Sequence, residues 1–338
     1  MKRNMIQWLN ELKSAQKKKS MPLLSFPGIQ LTCDTVQKLV TDANAQATVM
    51  KKVSERIPSL ASVSLMDLSV EAECFGSQIM FSEDEVPMVV GKVVSNYDEA
   101  IKLRVPKVGE KRTGIYIDAI KKASSLIKDR PIFAGVIGSF SLAGRLVDVT
   151  EAMINCYEEP EMMKIVLEKC TQFLIEYIRA YKEAGANGVV IAEPLTGLLS
   201  PDLAGEFSEP YIKEIVQSCQ SEDFILIYHN CGNSVIKIVD SILRTGTKVC
   251  HFGNAIDMRE ILPHIPENVI VMGNIDPAGQ FKNGTPETIK KVTLDLLKDC
   301  SCYPNFVISS GCDIPPQASW ENIDAYFQAV DDFYKNKQ

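Results

Sequence analysis

Short apolar runs recur along the chain, separated by longer stretches in which apolar and polar positions follow one another at helical spacing. Most of the runs are nearly continuous, which is typical of parallel strands covered on both faces rather than of half-exposed strands. The pattern therefore predicts eight strands, at positions 21–26, 61–68, 131–137, 188–192, 224–228, 248–252, 269–272 and 306–309.

The stretches between the runs predict helices. Over 161–184 apolar residues recur at roughly helical spacing, and the stretch ends at Gly185, a common helix terminator. Thr285 and Pro286 predict another helix start, with Thr as the N-cap and Pro at the first helical position. Similar patterns predict helices over 202–220 and 234–244, and an additional one within the N-terminal segment 1–20.

Eight strands alternating with helices indicate an α/β protein, and favour a single (β/α)8 TIM barrel that spans residues 1–338. Residues 78–109, rich in Pro and Gly, predict a hairpin excursion inserted after the second strand. The structural alternative is an open doubly wound sheet, which usually carries a glycine-rich phosphate-binding turn after its first strand. Here Pro27-Gly28-Ile29-Gln30 follows that strand, so the barrel is the better prediction.

Composition narrows the range of partners. The net charge of −7 gives no built-in attraction for nucleic acid or for an anionic membrane surface, and neither is expected as a partner. We find no apolar run long enough for a transmembrane helix and no signal-type segment, which predicts a cytoplasmic protein. The ten cysteines are then expected to be core, metal-binding or reactive thiols. A homodimer is compatible with the sequence, which does not itself specify an oligomeric state.

The ends of the predicted strands carry the candidate chemistry, because barrel enzymes place their sites at the carboxyl ends of their strands. His229 and Cys231 follow the fifth run and, two residues apart on an extended segment, point the same way. Cys312 follows the eighth run. Three nitrogen and sulfur ligands with one open position form the usual catalytic zinc arrangement. The alternatives are ordinary buried core residues, or a different pair, Cys300 and Cys302, which follows a helix and has no nearby histidine.

With these residues in place, the chain resembles the uroporphyrinogen decarboxylase superfamily, and most closely its methylcobamide:coenzyme M methyltransferases and related corrinoid-dependent zinc methyltransferases. The resemblance extends from about residue 20 to about residue 330. It depends on the segments 66–73, 83–87, 193–194, 229–232, 273–277 and 311–313.

The resemblance implies a zinc ion held by His229, Cys231 and Cys312, and a thiol substrate such as coenzyme M or homocysteine. The methyl donor it implies is a methylcorrinoid on a separate corrinoid protein. A folate cofactor in place of the thiol acceptor, and the reverse direction of transfer, remain open. It also implies roles for further strand-end residues. Those expected to be catalytic are Asp67, Glu193 and Asp276, and those expected to contact the cofactor are Ser139, Gly273 and Asn274.

Two other functions stay open. The decarboxylase branch also has an important Asp at the position of Asp67, but its Arg-rich segment after the first strand is replaced here by residues 22–30, which contain no Arg or Lys. The expected mouth is acidic and would repel a polyanionic porphyrinogen. The other alternative is a non-catalytic barrel that only binds a corrinoid protein. Related methyltransferases often have a Glu after the sixth strand, whereas His251 is the polar residue here, either as a fourth ligand or as a hydrogen-bonded core residue.

Overall fold

The computed structural model describes residues 3–336. Its main element is a curled parallel sheet of seven strands in the order β1-β4-β5-β6-β7-β8-β9, while β2 and β3 form a separate antiparallel hairpin. The strands are β1 Ser62–Val63, β2 Gln78–Met80, β3 Met88–Val90, β4 Ile132–Ile137, β5 Gly188–Ala192, β6 Ile225–Asn230, β7 Val249–Phe252, β8 Ile270–Ile275 and β9 Phe306–Ser310.

Seven of the predicted runs become these parallel strands, but the prediction of a regular strand over 21–26 is wrong. The segment does occupy the first barrel position: the Met21 amide donates to the Ile308 carbonyl (3.1 Å). The ladder to β9 stops there because the Leu23 amide donates to the Ser310 hydroxyl (3.0 Å) and not to a main-chain oxygen, and Pro22 has no N–H to give to the strand on the other side. An irregular extended segment therefore fills the gap between the two edge strands.

Helices cover the outside of the sheet in the expected alternation. They are α1 Met5–Ser14, α2 Ile29–Thr32, α3 Val36–Thr41, α4 Ala43–Arg56, α5 Val70–Cys74, α6 Tyr97–Lys102, α7 Thr113–Leu126, α8 Ser139–Val147, α9 Val149–Glu158, α10 Pro160–Glu183, α11 Pro201–Phe207, α12 Glu209–Cys219, α13 Val239–Arg244, α14 Met258–Ile261, α15 Pro286–Cys300 and α16 Trp320–Asn336. The helix predicted over 202–220 is divided into α11 and α12 at Ser208, just before Pro210. None of the helices within 3–336 has the length and apolar character needed to span a bilayer.

The N-terminal helix fills one end of the barrel. Met5, Leu9 and Leu12 lie on one face of α1 and join a buried cluster with the inward-facing side chains of the strands. The Trp8 ring packs against Phe133, at the start of β4, with ring centroids 5.8 Å apart. Because α1 covers the amino ends of the strands, the opposite, carboxyl end remains as the mouth where the candidate residues lie.

Candidate metal centre

His229, Cys231 and Cys312 come together at the carboxyl end of the sheet, where β6 and β9 end. His229 lies near the end of β6, directly beside His251 of β7 in the parallel register. The loop containing Cys231 can approach β7 because residue 253 is glycine: a Cβ there would lie 2.4 Å from the Cys231 Cβ. Close backbone contact of this kind is a common reason for a glycine at a loop junction.

The three candidate ligands form one compact group. One ligand atom from each residue lies within 4.8 Å of the others, and the Cys312 Sγ to His229 Nε2 distance is 3.5 Å. Bond lengths of about 2.3 Å to sulfur and about 2.0 Å to nitrogen in a tetrahedral site place these two atoms about 3.6 Å apart. The donor set and its spacing therefore fit a zinc ion with little rearrangement.

The ionisation of the two thiols also fits a cation. A hydrogen bond from Cys312 lowers the pKa of Cys231 to about 4. The same contact, together with burial, raises the pKa of Cys312 well above its usual value. Two sulfurs this close cannot both carry negative charge unaided, so a positive ion between them is what would allow both to act as thiolates.

A chain of hydrogen bonds extends behind the imidazole of His229. Its Nδ1 lies 2.8 Å from Nδ1 of His251, and His251 Nε2 lies 2.8 Å from the Ser309 hydroxyl oxygen. That hydroxyl donates in turn to the main-chain oxygen of Met21 (2.7 Å). With both its ring nitrogens engaged away from the cysteines, His251 is a hydrogen-bonded residue and not a fourth ligand.

These hydrogen bonds determine which ring nitrogen of each histidine acts as a donor. Burial lowers the pKa of His251 well below its usual value, so the ring is neutral and carries one proton. Ser309 uses its only proton on Met21 and must accept from His251 Nε2–H, which leaves His251 Nδ1 as an acceptor. His229 therefore donates from Nδ1–H, and this directs its Nε2 toward Cys312, as metal binding requires.

Glu193 lies at the end of β5 as predicted, but its carboxylate points into the protein. It accepts hydrogen bonds from the amides of Phe140 (2.9 Å) and Ser141 (3.0 Å), and from the hydroxyls of Ser141 and Thr196. These amides belong to the first turn of α8, where a negative charge is favourable. The surroundings of Glu193 thus describe a helix-stabilising residue, and its catalytic role stays a prediction.

Asp67 is also surrounded by partners. Arg112 forms a buried ion pair with it and also bonds to Glu73, while Tyr116 donates its hydroxyl to the Asp67 carboxylate at 2.8 Å. Arg112 offsets the charge of Asp67, and the expectation of an acidic mouth stays a prediction. The sequence analysis missed Arg112, which lies 45 positions from Asp67 in the chain with no local motif to connect the two.

The remaining predicted residues have local structural contacts. Asp276 accepts from the amides of Ala278 and Gly279 and so begins the helical turn that follows β8. The Ser139 hydroxyl contacts that of Thr171 (2.8 Å) in the interior. Gly273 and Asn274 lie close to the loop after β7. The side-chain amide of Asn274 donates to the main-chain oxygens of residues 253 and 256, and Gly273 has a φ of +149°. Their roles toward a substrate or cofactor stay predictions.

The fold and the site together define the class of protein. It is a (β/α) barrel with a candidate metal centre of nitrogen and sulfur ligands at the carboxyl ends of its strands. The uroporphyrinogen decarboxylase family model matches residues 30–333, and the chain belongs to this family. It is 29% identical over 293 residues to a protein from Methanosarcina acetivorans named methylcobamide:CoM methyltransferase MtbA, covering 85% of this chain and 82% of the relative.

Two other relatives place this likeness in context. The chain is 26% identical over 295 residues to a uroporphyrinogen decarboxylase of Coxiella burnetii, covering 84% of this chain and 80% of the relative. The solved structure of a methyltransferase from Methanosarcina mazei superposes with a TM-score of 0.85 at 23% identity, over 97% of this chain and 98% of that one, which confirms the fold. The relatives named as methyltransferases make the chain an enzyme of the methyltransferase type.

Proposed function

We propose that this chain is a zinc-dependent methyltransferase that moves a methyl group between a methylcorrinoid, carried on a corrinoid protein, and a small thiol. The observation that carries the proposal is the convergence of His229 Nε2 with the sulfurs of Cys231 and Cys312 within 4.8 Å at the barrel mouth. The names of the two Methanosarcina relatives supply the substrate pair: a methylcobamide and CoM.

His229, Cys231 and Cys312 would hold the zinc ion and leave one position open for the substrate. A zinc ion bound there would lower the pKa of the substrate thiol, so that it is present as thiolate at neutral pH. The protein residues contribute orientation: the hydrogen-bonded His251 fixes the ring of His229, which is itself buried, while the partly exposed Cys231 and Cys312 leave the site open to a substrate.

The transfer then balances as a simple displacement. The thiolate sulfur attacks the methyl carbon of the methyl-Co(III) corrinoid, so that an S–C bond forms as the Co–C bond breaks. The electron pair of the broken bond leaves with cobalt as Co(I), and the thiol proton has already passed to solvent. Nothing in this step requires the protein to supply a further acid, because the leaving group is the corrinoid itself.

The donor is expected to arrive on another protein. Met80 and Met88 of the hairpin are about half exposed, at 51% and 53%. Exposed apolar side chains clustered on one projecting element are a common feature of protein-binding surfaces. We therefore assign the hairpin as part of the surface that receives the corrinoid protein.

The proposed reaction is tested with free methylcobalamin and a panel of small thiols, including 2-mercaptoethanesulfonate and homocysteine. Thiol-dependent conversion of the methylcobalamin spectrum to that of cob(I)alamin under anaerobic conditions is the expected result. Cys312→Ser is the matched inactive variant, and Cys302→Ser, at an exposed thiol on another face, is the control. Zinc-loaded protein that shows no demethylation with any thiol would leave the binding-only function as the better account.

A further inference from the structure

Arg145 is the exception among the arginines of the chain. In the range 3–336 every other arginine makes an ion pair or a hydrogen bond to a main-chain oxygen. Arg145, on α8, has neither, although burial alone lowers its pKa from the usual value. A partly buried cation without a partner is costly, so its presence suggests that something outside the chain pairs with it.

The guanidinium of Arg145 faces open space. It lines a cavity of about 330 Å³ together with residues that follow β1 and residues of the hairpin, namely Met66, Leu68, Ser69, Val86, Pro87, Met88 and Val89. Its nitrogens are not among the buried polar atoms that lack a partner, so they remain accessible. The cavity thus combines a largely apolar wall with a single accessible positive charge.

The nearby carboxylates do not neutralise Arg145. Asp67 and Glu73, on the loop and helix after β1, both pair with Arg112. Ser69 is likewise engaged, since its hydroxyl donates to Asp67 and accepts from Arg112. Within residues 3–336, Arg145 is therefore a positive charge with no ion-pair partner beside this cavity, in a protein whose net charge is −7.

Met66 connects this cavity to the metal centre. Met66 lines the cavity, and its main-chain N–H donates to the Asp313 carboxylate at 3.3 Å. Asp313 directly follows Cys312, a proposed zinc ligand. The cavity wall therefore adjoins, through Met66 and Asp313, the loop that carries Cys312.

We propose that Arg145 binds the anionic group of the thiol substrate, so that the enzyme selects short alkyl thiols carrying a sulfonate or carboxylate. The apolar wall would contact the alkyl portion, and the guanidinium would pair with the oxyanion in a charge-assisted, bidentate geometry. This inference rests on the proposed function, because it takes the sulfur end of the ligand to lie at the metal centre. The phosphodiester of a corrinoid is the other source of the same oxyanion chemistry.

The test compares thiols that differ in charge. Zinc-loaded wild-type protein, Arg145→Gln and Arg145→Lys are titrated calorimetrically with 2-mercaptoethanesulfonate and with neutral 2-mercaptoethanol. We expect Arg145→Gln to weaken binding of the sulfonate by about tenfold or more, the range for a lost charge-assisted hydrogen bond, and to leave 2-mercaptoethanol unchanged. Arg145→Lys should retain part of the preference. Arg179→Gln, at an exposed arginine paired with Glu176, is the matched control.

Folding does not confound this comparison. Arg145 has no partner to lose, so Arg145→Gln should melt at or above the wild-type temperature. Equal effects on both thiols, or no effect on either, would overturn the inference while leaving the proposed function intact. If Arg145→Gln changed only the KM for methylcobalamin, the anion bound by Arg145 would be the phosphodiester of the corrinoid. That result would overturn the assignment to the thiol.

A thiol-free probe separates the two proposals. Binding of ethanesulfonate is followed by ligand-observed NMR, which needs neither zinc nor turnover. If no thiol binds the zinc-loaded protein, the proposed function fails, and ethanesulfonate binding that is lost in Arg145→Gln would still support the anion site. Ethanesulfonate binding that is equal in wild type and Arg145→Gln, or absent from both, counts against the site.

Discussion

Replacing His251 by Phe tests how the protein prepares His229 for metal binding. The substitution keeps a ring in a fully buried position but removes the acceptor that lies 2.8 Å from His229 Nδ1. His229 could then keep its proton on either nitrogen, and the form protonated at Nε2 cannot bind zinc until that proton leaves. We therefore expect His251→Phe to bind zinc more weakly with the fold retained.

The magnitude follows from the contacts that remain. A lost neutral hydrogen bond of about 1 kcal/mol corresponds to about fivefold in the dissociation constant. The main-chain oxygen of residue 251 still lies 3.3 Å from His229 Nδ1 and retains part of the orientation. The total effect should therefore be about fivefold, just below the 10–100-fold typical for residues that support a metal ligand.

Two measurements check this reasoning. Zinc affinity is measured by competition with a chromophoric chelator, with His251→Gln as the conservative variant that restores an acceptor oxygen. The tautomers are read directly in zinc-free, 15N-histidine-labelled protein, where the chain's three histidines give few signals and exposed His264 serves as the internal reference. Unchanged zinc affinity in His251→Phe, or a His229 Nδ1 without a proton in the wild type, would refute the proposed relay.

Three further predictions concern the buried carboxyl groups of Glu193 and Glu71 and the exposed side chain of the hairpin. Glu193→Ala should destabilise the protein by about 2–4 kcal/mol in denaturant unfolding, because it removes a buried acceptor from several donors; a variant with normal stability but no activity would instead support a catalytic role. Burial raises the pKa of Glu71 to about 8, so the folded protein keeps a proton that the unfolded chain loses near its usual pKa, and this contribution to stability declines as pH rises from about 4.5 to about 8. The stability of Glu71→Gln relative to wild type should therefore increase by up to a few kcal/mol over that range, and a pH-independent difference would contradict the assignment. Met80→Glu should slow turnover with a methylated corrinoid protein but not with free methylcobalamin, and equal slowing with both donors would exclude the hairpin as the docking surface.

Local chemistry made much of the fold predictable. Thr285 caps α15 in the structure and Pro286 begins it, as the sequence predicts, because side-chain capping and the absent proline N–H act within one helical turn. The strand runs were identifiable because both faces of a parallel strand are buried. The break at Pro22 was equally local, and the missing N–H was visible in the sequence; the apolar character of 21–26 concealed it.

The orientations at the barrel mouth were harder to predict. Sequence position indicates that Glu193 lies at a strand end, but not that the first turn of α8 lies beside it and attracts its carboxylate. The pairing of Asp67 with Arg112 and the relay from His251 to Ser309 join residues from different barrel units. Such contacts depend on the three-dimensional register of neighbouring strands, whereas His229 and Cys231 could be recognised as a pair because only one residue separates them.

Metal content tests the central claim most directly. We predict about one zinc ion per chain in protein purified without chelators, measured by plasma emission spectrometry. Cys312→Ser should lose most of that zinc while keeping the wild-type circular dichroism, and Cys302→Ser should keep it, since that thiol is exposed and lies outside the ligand group. Wild-type protein without zinc, and unable to bind it when the ion is added, would contradict the account, as would full zinc content in Cys312→Ser.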